Sequence, residues 1–208
     1  MAHAVSESLA RLRTFAQRPR AAAHAQCELC TARLDNEHEH VVERATGRIA
    51  CCCGACALLF RTGDTTRYRT VPRDVTRLTG FRMTDAQWSN LAIPIGLAFL
   101  YVSSRAEGVI AVYPSPAGGT ESHPMPEAWQ ELVTENPVLT ELAPDVEALL
   151  VNRIDGAREC YRVPINECYK LVGLVRRRWR GFTGGVALWH EIANFFTALQ
   201  ARCDRCSI

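Results

Sequence analysis

The chain has 208 residues, of which 48% are hydrophobic and 22% charged, and its net charge is +2. These values exclude a disordered chain and leave room for one substantial domain plus a small module. They also exclude a uniformly basic surface that would hold nucleic acid by charge alone. Lys170 is the only lysine. That imbalance toward arginine suits a GC-rich genome and carries no functional meaning.

The first residues, MAHAVSESLARLRTF, contain no uninterrupted apolar core of the kind a secretory signal needs. The most apolar run, Leu91 to Val102, is interrupted by Pro94 and Gly96 and falls short of the ~20 residues that span a bilayer. A cytoplasmic protein without membrane insertion is expected, in a compartment where thiols stay reduced. Ser6 caps an expected short helix whose Leu9, Leu12 and Phe15 recur at helical spacing. RPRAAAHAQ reads as the linker that follows, so residues 1–24 are taken as N-terminal helix and linker.

Residues 25–60 hold the chemistry. Six of the ten cysteines lie between Cys27 and Cys56, in CELC and CCCGAC. Cys27/Cys30 and Cys53/Cys56 are C-x-x-C pairs, and such a turn aims two sulfurs at one point. Two pairs joined by a hairpin form a closed tetrahedral four-sulfur site, the structural geometry of Zn²⁺, which iron also accepts. Residues 31–52 separate the pairs, slightly more than the ~15–20 of common two-pair zinc sites. The spacing predicts a zinc-ribbon-like module with Cys27, Cys30, Cys53 and Cys56 as metal ligands. Cys51 can replace one of them, because Cys51-x-Cys53-x-x-Cys56 is an equally plausible ligating run. In an extended strand Cys52 points away from Cys51 and Cys53. His38 and His40, in EHEH, lie between the pairs and are expected on an exposed strand or turn, since four thiolates already complete the shell.

After Cys56, ALLF reads as a short apolar strand or turn, and residues 61–82 as loop with one strand near Tyr68–Val71. Thr84-Asp-Ala-Gln87 has the form of a capping box, with Met83 and Trp88 as a flanking staple. Leu97–Ser104 and Val109–Tyr113 suggest a hairpin, ended by Pro114, Pro116 and Gly118-Gly119 in a loop. Pro126 opens a helix carrying Trp129, Leu132 and Val133 that stops before Pro137. A second hairpin joins Val146–Ile154 to Cys160–Val163 through Asp155-Gly156. Two helices close the chain: one lined by Cys168, Leu171, Val172 and Val175, the other by Trp189, Ile192, Phe195, Phe196 and Leu199. The expected fold is α+β: the metal module, then residues 61–208 as an antiparallel sheet with helices packed on one face.

Other clusters carry less. Cys203-Asp-Arg-Cys206 is a third C-x-x-C without a second pair, and reads as a frayed helix end unless it folds back on the module. Cys160 and Cys168 read as small buried residues. The run Arg176–Arg180 complements the negative end of its helix. No G-x-S-x-G, Walker loop or H-E-x-x-H occurs, and adjacent His190 and Glu191 point in different directions, so no enzyme is expected.

CELC…CCCGACALLF, YRVPINECYKLVGLVRRRWRGFTGG and the closing W-x-x-I-x-x-FF-x-x-L resemble a bacterial, mainly actinobacterial, family encoded with uptake [NiFe]-hydrogenase gene clusters. The resemblance covers nearly the whole chain. It implies a hydrogenase accessory or maturation role with hydrogenase subunits or maturation factors as partners, and it brings no biochemical activity. In that family the second knuckle reads C-x-C-x-x-C, which maps onto Cys51, Cys53 and Cys56; Cys52 is an addition here. Two alternatives stand beside a structural Zn²⁺ accessory protein. One is a rubredoxin-like electron carrier with Fe in the same site, although CELC and CGAC lack the Gly/Pro-rich form of rubredoxin knuckles. The other is a nucleic-acid-binding ribbon, which the lack of interleaved basic and aromatic residues disfavours.

Overall fold

The computed structural model describes residues 25–61, 67–181 and 184–205. The N-terminal helix and linker expected over 1–24, and Cys206, lie outside the described residues. Within them the strands form two antiparallel sheets, one of three strands and one of six.

The small sheet has the order β2-β1-β3, from β1 (Glu39–Glu43), β2 (Ile49–Cys52) and β3 (Tyr68–Thr70). β3 takes the free edge of β1, pairing Val42 with Arg69, so this sheet continues past residue 60. ALLF, read as a strand or turn, is a turn at Leu59–Phe60 that closes one turn of helix, α1 (Gly54–Leu58). It buries only Ala57 and leaves Leu58 and Leu59 exposed.

The large sheet has the order β4-β9-β8-β5-β6-β7. Its strands are β4 (Thr76–Arg77), β5 (Leu97–Ser103), β6 (Gly108–Ser115), β7 (Gly118–Ser122), β8 (Glu147–Asn152) and β9 (Glu159–Pro164). Both expected hairpins form. The Gly118-Gly119 stretch, expected as loop, is strand β7 on the sheet's edge, with Gly119 opposite Pro114. Gly96, just before β5, has a specific steric reason: a Cβ there would lie 3.0 Å from the Arg153 carbonyl group.

The helices are α2 (Asp85–Asn90), α3 (Pro126–Glu135), α4 (Ile165–Arg178) and α5 (Val186–Arg205). The capping box on α2 is complete: Gln87 N–H donates to Thr84 Oγ1 and Thr84 N–H to Gln87 Oε1. α3 starts at Pro126 and ends before Pro137, as its proline pattern predicts.

The expectation of helices on one face needs correction. Leu97, Phe99 and Tyr101 of β5 join α4 and α5 in one apolar cluster, whereas Ala98 and Leu100 join α3 in another. Successive residues of a strand point to opposite faces, so the sheet lies between two helical layers. The physical reason was visible in the sequence. LAFLYV and ALLV are unbroken apolar runs, and a strand buried on both faces loses the polar alternation of a half-solvated one.

β1 joins the two parts. Val41 points into the small core with Cys27, Ala50 and Cys52, and Val42 into the large one with Val71, Val75 and Phe99. In the closing helix Ile192, Phe196 and Leu199 are buried as expected, but the stripe is completed by Leu188 and Cys203, while Trp189 is 40% exposed.

Candidate metal centre

Local backbone structure builds both knuckles. In the first, Thr31 N–H donates to Cys27 O and Cys27 N–H to Ala32 O, closing a tight turn. Thr31 takes φ 62° there, the left-handed region that a β-branched residue enters only when its surroundings compel it. In the second, Cys53 stands at the N-cap of α1 and Cys56 one turn further on, so the helical turn brings both sulfurs to one side.

Glu28, an unremarked residue inside CELC, fastens the first knuckle to β2. Its N–H donates to Cys51 O at 2.9 Å and its carboxylate accepts from Cys51 N–H at 2.8 Å. Arg48 pairs with the other carboxylate oxygen. These partners, the Cys51 amide first, hold the Glu28 carboxyl below its ordinary range.

The result is one sulfur group. The Sγ atoms of Cys27, Cys30, Cys53 and Cys56 lie within 4.8 Å of one another, with Cys30 and Cys53 3.6 Å apart. Zinc–thiolate bonds of about 2.3 Å put the sulfurs of a tetrahedral site about 3.8 Å apart, so the observed spacing suits a four-thiolate metal ion. These four cysteines can hold a metal ion. Cys27 is buried and Cys30 is exposed, so the group sits at the surface with one inner corner.

The crowded sulfurs differ in how readily each thiol ionises. Burial works to raise the Cys27 pKa, but the backbone N–H groups of Cys53, Leu29 and Cys30 prevail and hold it at about 6. The Cys56 backbone N–H lowers Cys53. Cys56 is pushed up by its contacts with Cys30 and Cys53. Cys27 is thus set to ionise ahead of Cys56, and a divalent ion would bind by displacing the thiol protons that remain.

The other cysteines are elsewhere. Cys52 is fully buried opposite Glu39, and burial pushes its thiol up to about 12. Cys51 leaves the sulfur group and gathers instead with His38 and His40. Cys160 and Cys168 are buried in the large domain, and burial raises both thiols, that of Cys160 to about 12. Cys203 is not part of a frayed end: it is 8% exposed in the core, with its thiol 3.5 Å from Leu199 O. His190 lies on the surface of α5 beside Asn194.

Fold and site together define an α+β protein of antiparallel sheets and helices with a four-cysteine cluster near its N-terminus that can take a metal ion. The chain belongs to the family described as "Family of unknown function (DUF5947)", whose model matches residues 26–203. The match begins one residue before Cys27 and ends at Cys203, so it includes both knuckles and both sheets. No curated protein and no solved structure matches the chain. Among the described residues no helix is long and apolar enough to cross a membrane.

Proposed function

We propose that the protein is a non-enzymatic accessory factor of the cytoplasm, whose zinc-ribbon-like module carries a structural Zn²⁺ on Cys27, Cys30, Cys53 and Cys56. The observation that carries this reading is the closure of the sulfur group. Four thiolates fill a tetrahedral shell and leave no position for substrate, which is the mark of a structural site. The ion fixes the two knuckles, and with them the exposed Leu58 and Leu59 that follow Cys56. A rigid apolar turn beside a metal knuckle is suited to protein docking. By the resemblance of the sequence, the partners are [NiFe]-hydrogenase subunits or their maturation factors.

The exposure of Cys30 favours one second reading. A rubredoxin-like iron needs a surface sulfur for electron exchange, and this site offers one. Purified protein with iron–thiolate visible absorption and no zinc would select that reading. The accessory role is tested by affinity recovery from cells grown under hydrogenase-inducing conditions, together with hydrogen uptake in a deletion strain. The expected outcome is recovery of hydrogenase components and reduced uptake. Normal uptake with no hydrogenase component recovered contradicts the role, and recovery of nucleic acid supports the ribbon as a nucleic-acid binder.

A further inference from the structure

The face of the small sheet turned away from the knuckles carries a second group of metal-ligating side chains. His38 lies immediately before β1 and His40 on it, and the antiparallel register sets Cys51 directly across from His40. One ligand atom from each of the three lies within 4.8 Å of the others. The two imidazole centres are 4.8 Å apart with their planes 33° from parallel.

The hydrogen bonds leave this group incomplete. His38 Nδ1 is 2.9 Å from Asp35 O. A carbonyl oxygen only accepts, so Nδ1 carries the proton and Nε2 keeps its lone pair. That Nε2 is buried with no hydrogen-bond partner. A backbone carbonyl on one ring nitrogen and a free lone pair on the other is the arrangement by which proteins orient a ligating histidine. Beside it, the Asn166 amide lies 3.4 Å from His40 Nδ1 and its Oδ1 is buried without a partner; with the amide turned end for end, Oδ1 accepts from His40 Nδ1–H and His40 Nε2 keeps its lone pair for a metal.

The surroundings favour a cation here over an anion. The charged lining of the adjoining groove balances, Glu37, Glu39 and Glu167 standing against Arg73, Lys170 and Arg202, with Lys170 and Arg202 both 2.9 Å from Glu167 and Arg73 3.2 Å from Glu39. No surplus of positive charge is left for a phosphate or carboxylate. The two histidines and Asn166 line a groove of about 420 Å³ between the small sheet and the start of α4.

We propose that His38, His40 and Cys51 bind a second late first-row transition-metal ion, Zn²⁺ in the simplest case, at the junction of the small sheet and α4. Two imidazoles and one thiolate select such ions over Mg²⁺ or Ca²⁺. Three protein ligands leave a fourth position open toward the groove, unlike the closed four-sulfur site, so this ion is exchangeable and takes a small ligand from solution. Both sites would be fixed by one hairpin, because β2 runs from Cys51 directly into Cys53.

The test compares zinc content after dialysis against excess Zn²⁺ for the full chain and for a His38→Ala/His40→Ala variant. The expected loss is one zinc per chain, whatever the four-sulfur site holds. Equal zinc in the full chain and the double variant overturns the proposal. Should the variant misfold, cadmium resonance measurements on the unaltered chain decide the matter. Two signals are expected, one of an all-sulfur environment and one of a mixed nitrogen and sulfur environment, and an all-sulfur signal alone overturns it.

Discussion

The two sheets of this protein are packed differently. The large sheet is sealed on both faces: Phe99, Leu150 and Tyr161 pack under α4 and α5, and Leu100, Leu149 and Ala111 under α3. The small sheet has, among the described residues, a core of Cys27, Leu34, Val41, Ala50, Cys52 and Ala57, most of them too small to exclude much water. A cluster of this size gains little from apolar burial, since the yield follows the area covered, at roughly 25 cal/mol per Å². On the reading proposed above, a metal ion on the sulfur group supplies what the small core lacks. The difference between the two sheets is one of core size and side-chain chemistry, extended apolar burial in one and four gathered sulfurs in the other, and β1 joins the two through Val41 and Val42.

The sharpest way to break this contrast is to remove a ligand. Cys27→Ser or Cys56→Ser should abolish metal binding and unfold the small sheet, while α4, α5 and the large sheet survive. Structural zinc in small finger peptides is worth about 10–16 kcal/mol, more than so small a core can replace. Zinc analysis paired with amide exchange checks this. Phe99→Ala should do the reverse, costing about 3–5 kcal/mol of global stability in denaturant unfolding with metal content unchanged.

A smaller effect is expected at the seam between α4 and α5. Burial works to raise the Glu167 carboxyl pKa, but Lys170 and Arg202 prevail and hold it below its ordinary 4.5. A depressed carboxyl contributes stability that is complete above its ordinary value and is lost as pH falls through the folded value. Glu167→Gln should therefore cost about 1.5–3 kcal/mol near neutral pH, the scale of hydrogen bonds to charged groups. It should also flatten the acid limb of the stability profile below pH 4.5, which thermal melts at several pH values can follow. The smallest change is expected from Arg177→Glu at the exposed end of α4. It should alter stability by under about 0.5 kcal/mol while weakening recovery of the partner.

Much of this was legible in the sequence because local rules acted alone. The Thr84 capping box, the proline-bounded α3 and both hairpins followed from short-range signals. The pairing of CELC with CGAC followed from spacing. Three features were not legible. Gly118-Gly119 looked like loop because glycine gives no strand signal, and only pairing with β6 makes it strand β7. The burial of Cys203 depends on where α5 docks, which no local pattern states. The gathering of Cys51 with His38 and His40 required the register of β1 on β2. EHEH revealed the alternation, but nothing in it revealed which residue would stand opposite.

On the proposed function, the four sulfurs bind a metal ion that holds the small sheet folded. Amide hydrogen exchange with and without a strong chelator tests it most directly. Metal removal should erase protection in β1 and β2 while leaving β5 and β8 protected. Undiminished protection in β1 and β2 after complete metal removal would contradict it.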